Sequence, residues 1–158
     1  MANDFQATTQ KKLAALEGWL APIFAKAPHL PASFREFLAT IAPWLSLIFG
    51  ILGLIALLSA GVLLSVASLS FMTGGISEVA WVISVLAGLI AAVLQILAFS
   101  PLKKRQKKGW NYIFYGTIIT TAAAIIEIAI GYGSSAIGTV IGTVIGLWLL
   151  FEVRPLYR

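Results

Sequence analysis

The sequence predicts an all-α, polytopic membrane protein, with four transmembrane helices preceded by amphipathic cytoplasmic helices. Three observations carry this prediction: composition, four long apolar runs, and a one-sided distribution of basic residues. Hydrophobic residues make up 59% of the 158-residue chain and charged residues only 11%, against about 25% charged in a typical soluble domain. A single water-soluble core of this size has no room for so much apolar surface. A bilayer removes the difficulty, because side chains that face lipid need no burial against protein.

The runs cover about 44–69, 79–99, 110–130 and 136–151. The separators "SFMTGGISE", "SPLKKRQKKG" and "GYGSS" are rich in breakers or charge. Pro101 is expected to stop the second run, and Gly131 with Gly133 the third. The first run, at about 26 residues, is longer than a hydrocarbon core of roughly 30 Å requires at 1.5 Å per residue. It must tilt, protrude or break, with Gly61 and the Ser-rich stretch after it as the places to break.

Charge sets orientation. With four spans, the segments before the first, between the second and third, and after the fourth share one side of the membrane. They hold all 11 Lys and Arg residues of the chain, and the two opposite loops hold none. Both termini are therefore expected in the cytoplasm, with the protein in the cytoplasmic (inner) membrane. Three or five spans would scatter the same charges over both faces. Trp44, Trp81, Trp110 and Trp148 fall near the proposed boundaries, as do Tyr112, Tyr115 and Tyr132. All are read as interface anchors, because these rings prefer the headgroup level.

Residues 1–42 differ in character. Leu13, Leu16, Leu20, Ile23, Phe24 and Ala27 form one apolar helix face. After "APHLP", Ser33 and Glu36 have capping-box spacing for a second short helix with Phe34, Phe37, Leu38 and Ile41 as its apolar positions. Pro43 then sits where the first span would begin. Two amphipathic helices on the cytoplasmic membrane surface fit best, with packing against the cytoplasmic ends of the bundle as the alternative, compatible with the first.

Within the fourth run, "GTVIGTVIG" places Gly138, Gly142 and Gly146 on one helix face, with Ser134 a turn earlier. It satisfies neither the phosphate-loop nor the dinucleotide-loop pattern. In lipid, small residues at this spacing let helix backbones approach closely, so the stripe is a packing face, within the chain or as a homodimer seam. Similar stripes run through Ala80, Ser84, Gly88 and Ala92, through Gly116, Thr120 and Ala124, and through Gly53 and Gly61.

Glu127 is the only acidic or basic residue within the four runs. A charge in the membrane is costly and marks a functional candidate, here a proton or cation site with Thr120 on the same face and Ser134 or Ser135 within reach. The plainer alternative is a carboxylate that reaches the interface or accepts hydrogen bonds from "GYGSS". Gln95 reads as a helix–helix hydrogen bond, and Glu78 as the start of the second span.

Lys103, Lys104, Arg105, Lys107 and Lys108 suit anionic lipid headgroups at the cytoplasmic face, an acidic partner, or simply fixation of topology. Nucleic acid is not expected, since a short loop against a bilayer offers neither a folded basic surface nor stacking aromatics. The chain has no cysteine and a single histidine, His29, outside every run. Thiolate chemistry is thus excluded, and no metal and no cofactor are expected. No nucleophile–base–orienter set or paired carboxylates at one depth can be found, which points away from an enzyme.

The segments "IAPWLSLIFGIL" (41–52), "FSPLKKRQKKGWNYIFY" (99–115) and "LLFEVRPLYR" (149–158) together resemble a set of small bacterial four-span membrane proteins. The resemblance implies a cytoplasmic-membrane location and brings no activity or site. Four-span multidrug exporters and dimeric fluoride channels are similar in size, but their motifs are not matched. The exporters carry an essential glutamate in the first span, and this chain has none there. The expectation is a non-enzymatic structural or accessory component that packs with membrane partners, with a small oligomeric transporter or channel using Glu127 as the alternative.

Overall fold

The computed structural model describes residues 2–67, 76–131 and 136–158. Over these the chain is helical: α1 (Ala2–Phe24), α2 (Ala32–Ala67), α3 (Ile76–Lys103), α4 (Lys107–Ala129) and α5 (Ala136–Val153), then a 3-10 turn at Arg154–Leu156. Three stretches, Ala32–Ser59, Val82–Lys103 and Lys107–Ala129, are long and apolar enough to cross a membrane. The expected contributions of Gly61, Glu78, Tyr132, Ser134, Ser135 and the Trp81 side chain lie outside the described residues.

Helix α3 is the middle of a three-helix slab, packed against α2 on one face and α4 on the other. Its small residues make this possible. Ala80, Ala87, Ala91, Ala92 and Ala98 are all buried. A Cβ added at Gly50 of α2 would lie 2.7 Å from Ile96 Cγ1 and 3.0 Å from the Ala92 carbonyl oxygen, so the backbones touch. On the other face Gly116 of α4 meets Ala91 at 3.6 Å. The expected second-run stripe is therefore used inside the chain, with Gly88 against the Leu57 methyls at 3.5 Å.

The expectation of a separate short helix ending before Pro43 is overturned. Helix α2 runs through Pro43 without interruption for 36 residues, or about 54 Å at 1.5 Å per residue. The helix shows no interruption at 42/43, and the first run stays unbroken as far as Ala67. Proline at this position removes the N–H that would satisfy the carbonyl four residues earlier, a loss of about 3 kcal/mol or more in a helix interior. That carbonyl belongs to Ala39, and it accepts a hydrogen bond from the Tyr157 hydroxyl at 3.3 Å. A residue from the far end of the chain thus supplies the donor that proline withholds. Glu36, expected to close a capping box with Ser33, instead binds Arg105.

The α3–α4 connection is tight. Arg105 adopts φ 55°, Gln106 N donates to the Pro101 carbonyl at 2.9 Å, and a Cβ at Gly109 would lie 2.5 Å from Leu102 N. Only glycine fits that approach. The far end of α4 closes at Gly131, whose φ of +81° is the left-handed conformation common after a helix terminus.

The densest packing lies at the end of the slab where α2 starts, α3 ends, α4 starts and α5 ends. Trp110 and Phe114 are fully buried there among Ala39, Ala98, Leu102, Leu147, Val153 and Tyr157. Trp110 is therefore a core residue and not the interface anchor expected of it. Its ring stacks on Phe114 at 5.1 Å, meets Phe151 edge-on at 5.6 Å, and its N–H donates to the Leu150 carbonyl at 2.7 Å. Of the α1 stripe, Leu20 and Phe24 pack against this core, while Leu16 and Ile23 stay exposed.

Two outcomes check this account. Tyr157→Phe should cost about 1 kcal/mol in unfolding free energy, and the cost should vanish in a Pro43→Ala background, where the restored backbone N–H serves the Ala39 carbonyl. Gly109→Ala should cost about 1–3 kcal/mol through overpacking against fixed backbone, read as a fall in thermal midpoint in detergent.

Candidate functional site

The basic residues gather at the densely packed end, as the one-sided count predicted for one face, but they are not a free cationic brush. Lys103 Nζ lies 5.6 Å from the centre of the Trp44 ring and 5.9 Å from that of Phe99, while Trp44 and Phe99 meet edge-on at 5.2 Å. Trp44 remains half exposed at this end, and its ring is partly covered by the lysine stem. Arg105 donates to Glu36 and, at 3.1 Å, to Thr40 Oγ1. Lys107 stands 3.4 Å from Glu17, and Lys108 lies 5.8 Å from the centre of the Tyr112 ring. Lys104 lines a separate polar cleft with Glu36 and Arg158.

Sequence reasoning missed the acidic partners at this end. Glu17, on α1, accepts from Arg154 Nε at 2.7 Å and also from Arg154 Nη2. The same guanidinium covers the Trp110 ring at 5.7 Å. Glu152, at the end of α5, is buried, with only 3% of its side chain exposed. It accepts the Leu30 backbone N–H at 2.9 Å and has His29 Nδ1 at 3.2 Å and Arg35 Nε at 3.7 Å. A carboxylate out of water is tolerable only with such a ring of donors. The sequence does hold a signal: an acidic residue stranded next to a long apolar run, in "LLFEVR", needs a cation from elsewhere.

Burial pushes the Tyr157 phenol above its ordinary value of 10.0, and Glu36 adds to this while Arg105 opposes it. The hydroxyl thus keeps its proton as a donor to Ala39. The Arg158 N–H donates to the Arg105 carbonyl at 2.9 Å, and Lys107 N donates to the Arg158 oxygen at 2.7 Å, capping the first turn of α4.

The intramembrane candidate looks different from expectation. Glu127 accepts a hydrogen bond from Ser84 Oγ across the α3–α4 contact. Thr120 does not join it: its hydroxyl donates to the Gly116 and Thr117 carbonyls of its own helix. Thr117 and Thr121 likewise bond back along α4. Gln95 lines an apolar crevice of about 220 Å³ at the basic end, with Ser46, Phe49 and Trp110 on its walls. Among the described residues no group of His, Asp and Glu could hold a metal ion.

Among the described residues, nothing packs on the glycine stripe of α5: a Cβ added at Gly138, Gly142 or Gly146 would meet none of them within 4 Å. The neighbouring Val140, Ile141, Val144 and Ile145 are likewise left exposed by the described residues. The described buried residues of α5, among them Leu147 and Val153, lie in its basic-end half. Trp148, expected as a wet anchor, has its indole N–H buried without a partner among the described residues.

Glu152→Ala should cost about 1–3 kcal/mol, because the Leu30 N–H is left buried and unpaired. Limited proteolysis should then cut within residues 25–31 faster than in the parent protein. Compared with protein families, curated proteins and solved structures, the chain returns no match.

Proposed function

We propose that the protein is a non-enzymatic accessory subunit of the cytoplasmic membrane, built to pack with another membrane protein. In this reading α5 is the fourth span, the basic end faces the cytoplasm with both termini, and α1 lies along the membrane surface. The one-sided placement of Lys and Arg supports that orientation.

The observation that carries the reading is the open face of α5. Gly50, Gly53, Gly88 and Gly116 on α2, α3 and α4 have neighbours within the chain, whereas Gly138, Gly142 and Gly146 have none among the described residues. Three glycines in a helix cost roughly 1 kcal/mol each relative to alanine. In a membrane that cost is recovered when a second helix approaches to backbone contact.

The competing reading is a small oligomeric transporter or channel titrating at Glu127, favoured by the Ser84–Glu127 hydrogen bond. The described residues show no converging polar groups or broken helices of a substrate path, since the nearby threonines are satisfied on their own helix.

Native mass spectrometry on protein extracted from its own membranes tests the assignment. The expected result is a stoichiometric complex with a different membrane protein, abolished by Gly142→Leu but kept by Val93→Leu on the exposed face of α3. Helix content and thermal midpoint of Gly142→Leu should match the parent, because the added side chain meets nothing among the described residues. A homo-oligomer insensitive to Gly142→Leu, together with a proton or cation flux lost in Glu127→Gln, would replace this reading with the transporter.

A further inference from the structure

The start of α4 and one face of α1 enclose a cleft of about 700 Å³ at the basic end, lined by Lys11, Lys107, Lys108, Asn111, Tyr112 and Tyr115. On α4 these residues follow helical spacing, so the two lysines occupy the first turn and the tyrosines lie one and two turns further into the apolar segment. Glu17 also lines the cleft, but its carboxylate is already held by Arg154 through two donors. Three ammonium groups therefore surround one neutralised carboxylate. Asn111 Oδ1 is buried without a hydrogen-bond partner among the described residues. A buried acceptor left unmet costs about 1–3 kcal/mol, and a donor brought by a ligand recovers it.

We propose that this cleft binds the headgroup of an anionic phospholipid, its phosphate against Lys11 and Lys108 and a headgroup hydroxyl donating to Asn111. The chemistry alone would suit any phosphate ester. The wall favours the lipid: Tyr112 and Tyr115 continue along a helix apolar enough to cross a membrane. A headgroup seated between the lysines has hydrocarbon surface next to it for its chains, which a soluble phosphate would not use. Bound there, the lipid bridges α1 and α4 and anchors α1 to the membrane. The proposal rests on the membrane reading above and is independent of what packs on α5.

The test uses the full-length protein in nanodiscs of equimolar phosphatidylcholine and phosphatidylglycerol, with retained lipid identified by native mass spectrometry. Selective retention of phosphatidylglycerol is expected, falling about fivefold for each of Lys11→Gln and Lys108→Gln. Lys104→Gln, outside the cleft, should leave retention unchanged, and circular dichroism should show equal helix content in all variants. Inorganic phosphate in millimolar excess should displace nothing; displacement by it would assign the cleft to a soluble anion and overturn the lipid. Equal retention of both lipids, or loss in Lys104→Gln matching that in Lys108→Gln, would overturn the site while leaving the membrane reading intact. Failure of the protein to enter the discs would overturn the membrane reading itself.

Discussion

Residues Glu152–Arg158 hold the molecule together. Within seven positions this segment accepts the Leu30 N–H through Glu152, pairs with α1 through Arg154, supplies the Ala39 carbonyl through Tyr157 and caps α4 through Arg158. Each contact satisfies a group that its own element leaves open: a loop N–H, an α1 carboxylate, a carbonyl bared by proline, the first turn of a helix. Backbone groups away from water must find partners, and here one short tail meets the needs of four elements at once. The aromatic cluster of Trp110, Phe114 and Phe151 lies beneath it, and Phe24 of α1 stacks on Phe151 at 5.2 Å.

This arrangement divides the protein along its length. At the basic end, packing is dense, polar groups are paired and large side chains are buried. Toward the other end, α2, α3 and α4 stay joined by alanine and glycine, while α5 meets α4 more sparsely. An apolar crevice of about 130 Å³ lies between Thr121, Ile125 and Ile128 of α4 and Val140 and Val144 of α5. In water the exposed valines and isoleucines of α5 would be driven to bury themselves. In hydrocarbon that drive is absent, and only close contact between small residues favours association. The open half of α5 is thus a surface that a membrane environment tolerates.

Charge at the basic end performs two jobs. Arg35, Arg105 and Arg154 are committed to Glu152, Glu36 and Glu17 and hold elements together. Their guanidinium groups can reach a carboxylate with several donors while the stems cover apolar surface. Lysines are the residues left to face outward: Lys11 and Lys108 line the α1–α4 cleft and Lys104 another. The division follows from donor geometry. A rigid fork suits fixed partners, and a flexible ammonium suits a mobile anion.

Much of this was legible in the sequence. Composition and the spacing of apolar residues determined an all-helical chain with helices able to cross a membrane. Gly131 marked a helix end, because a left-handed residue is readable one position at a time, whereas Pro101, expected to stop the second run, lies inside α3, which continues to Lys103. Tertiary structure alone decided the rest, since it turns on residues from 40 to 118 positions apart. Pro43 read as a helix boundary because its missing donor is a local fact, whereas the remedy, Tyr157, is remote. Trp110 read as an interface anchor because burial depends on which helices meet over it. Thr120 and Glu127 share a helix face, but hydroxyl rotation toward the nearest carbonyl separated them, and Ser84 on another helix took the place. The glycines of α5 announced close contact equally well for either side of the helix. Only the fold could show that no described residue of this chain fills that groove.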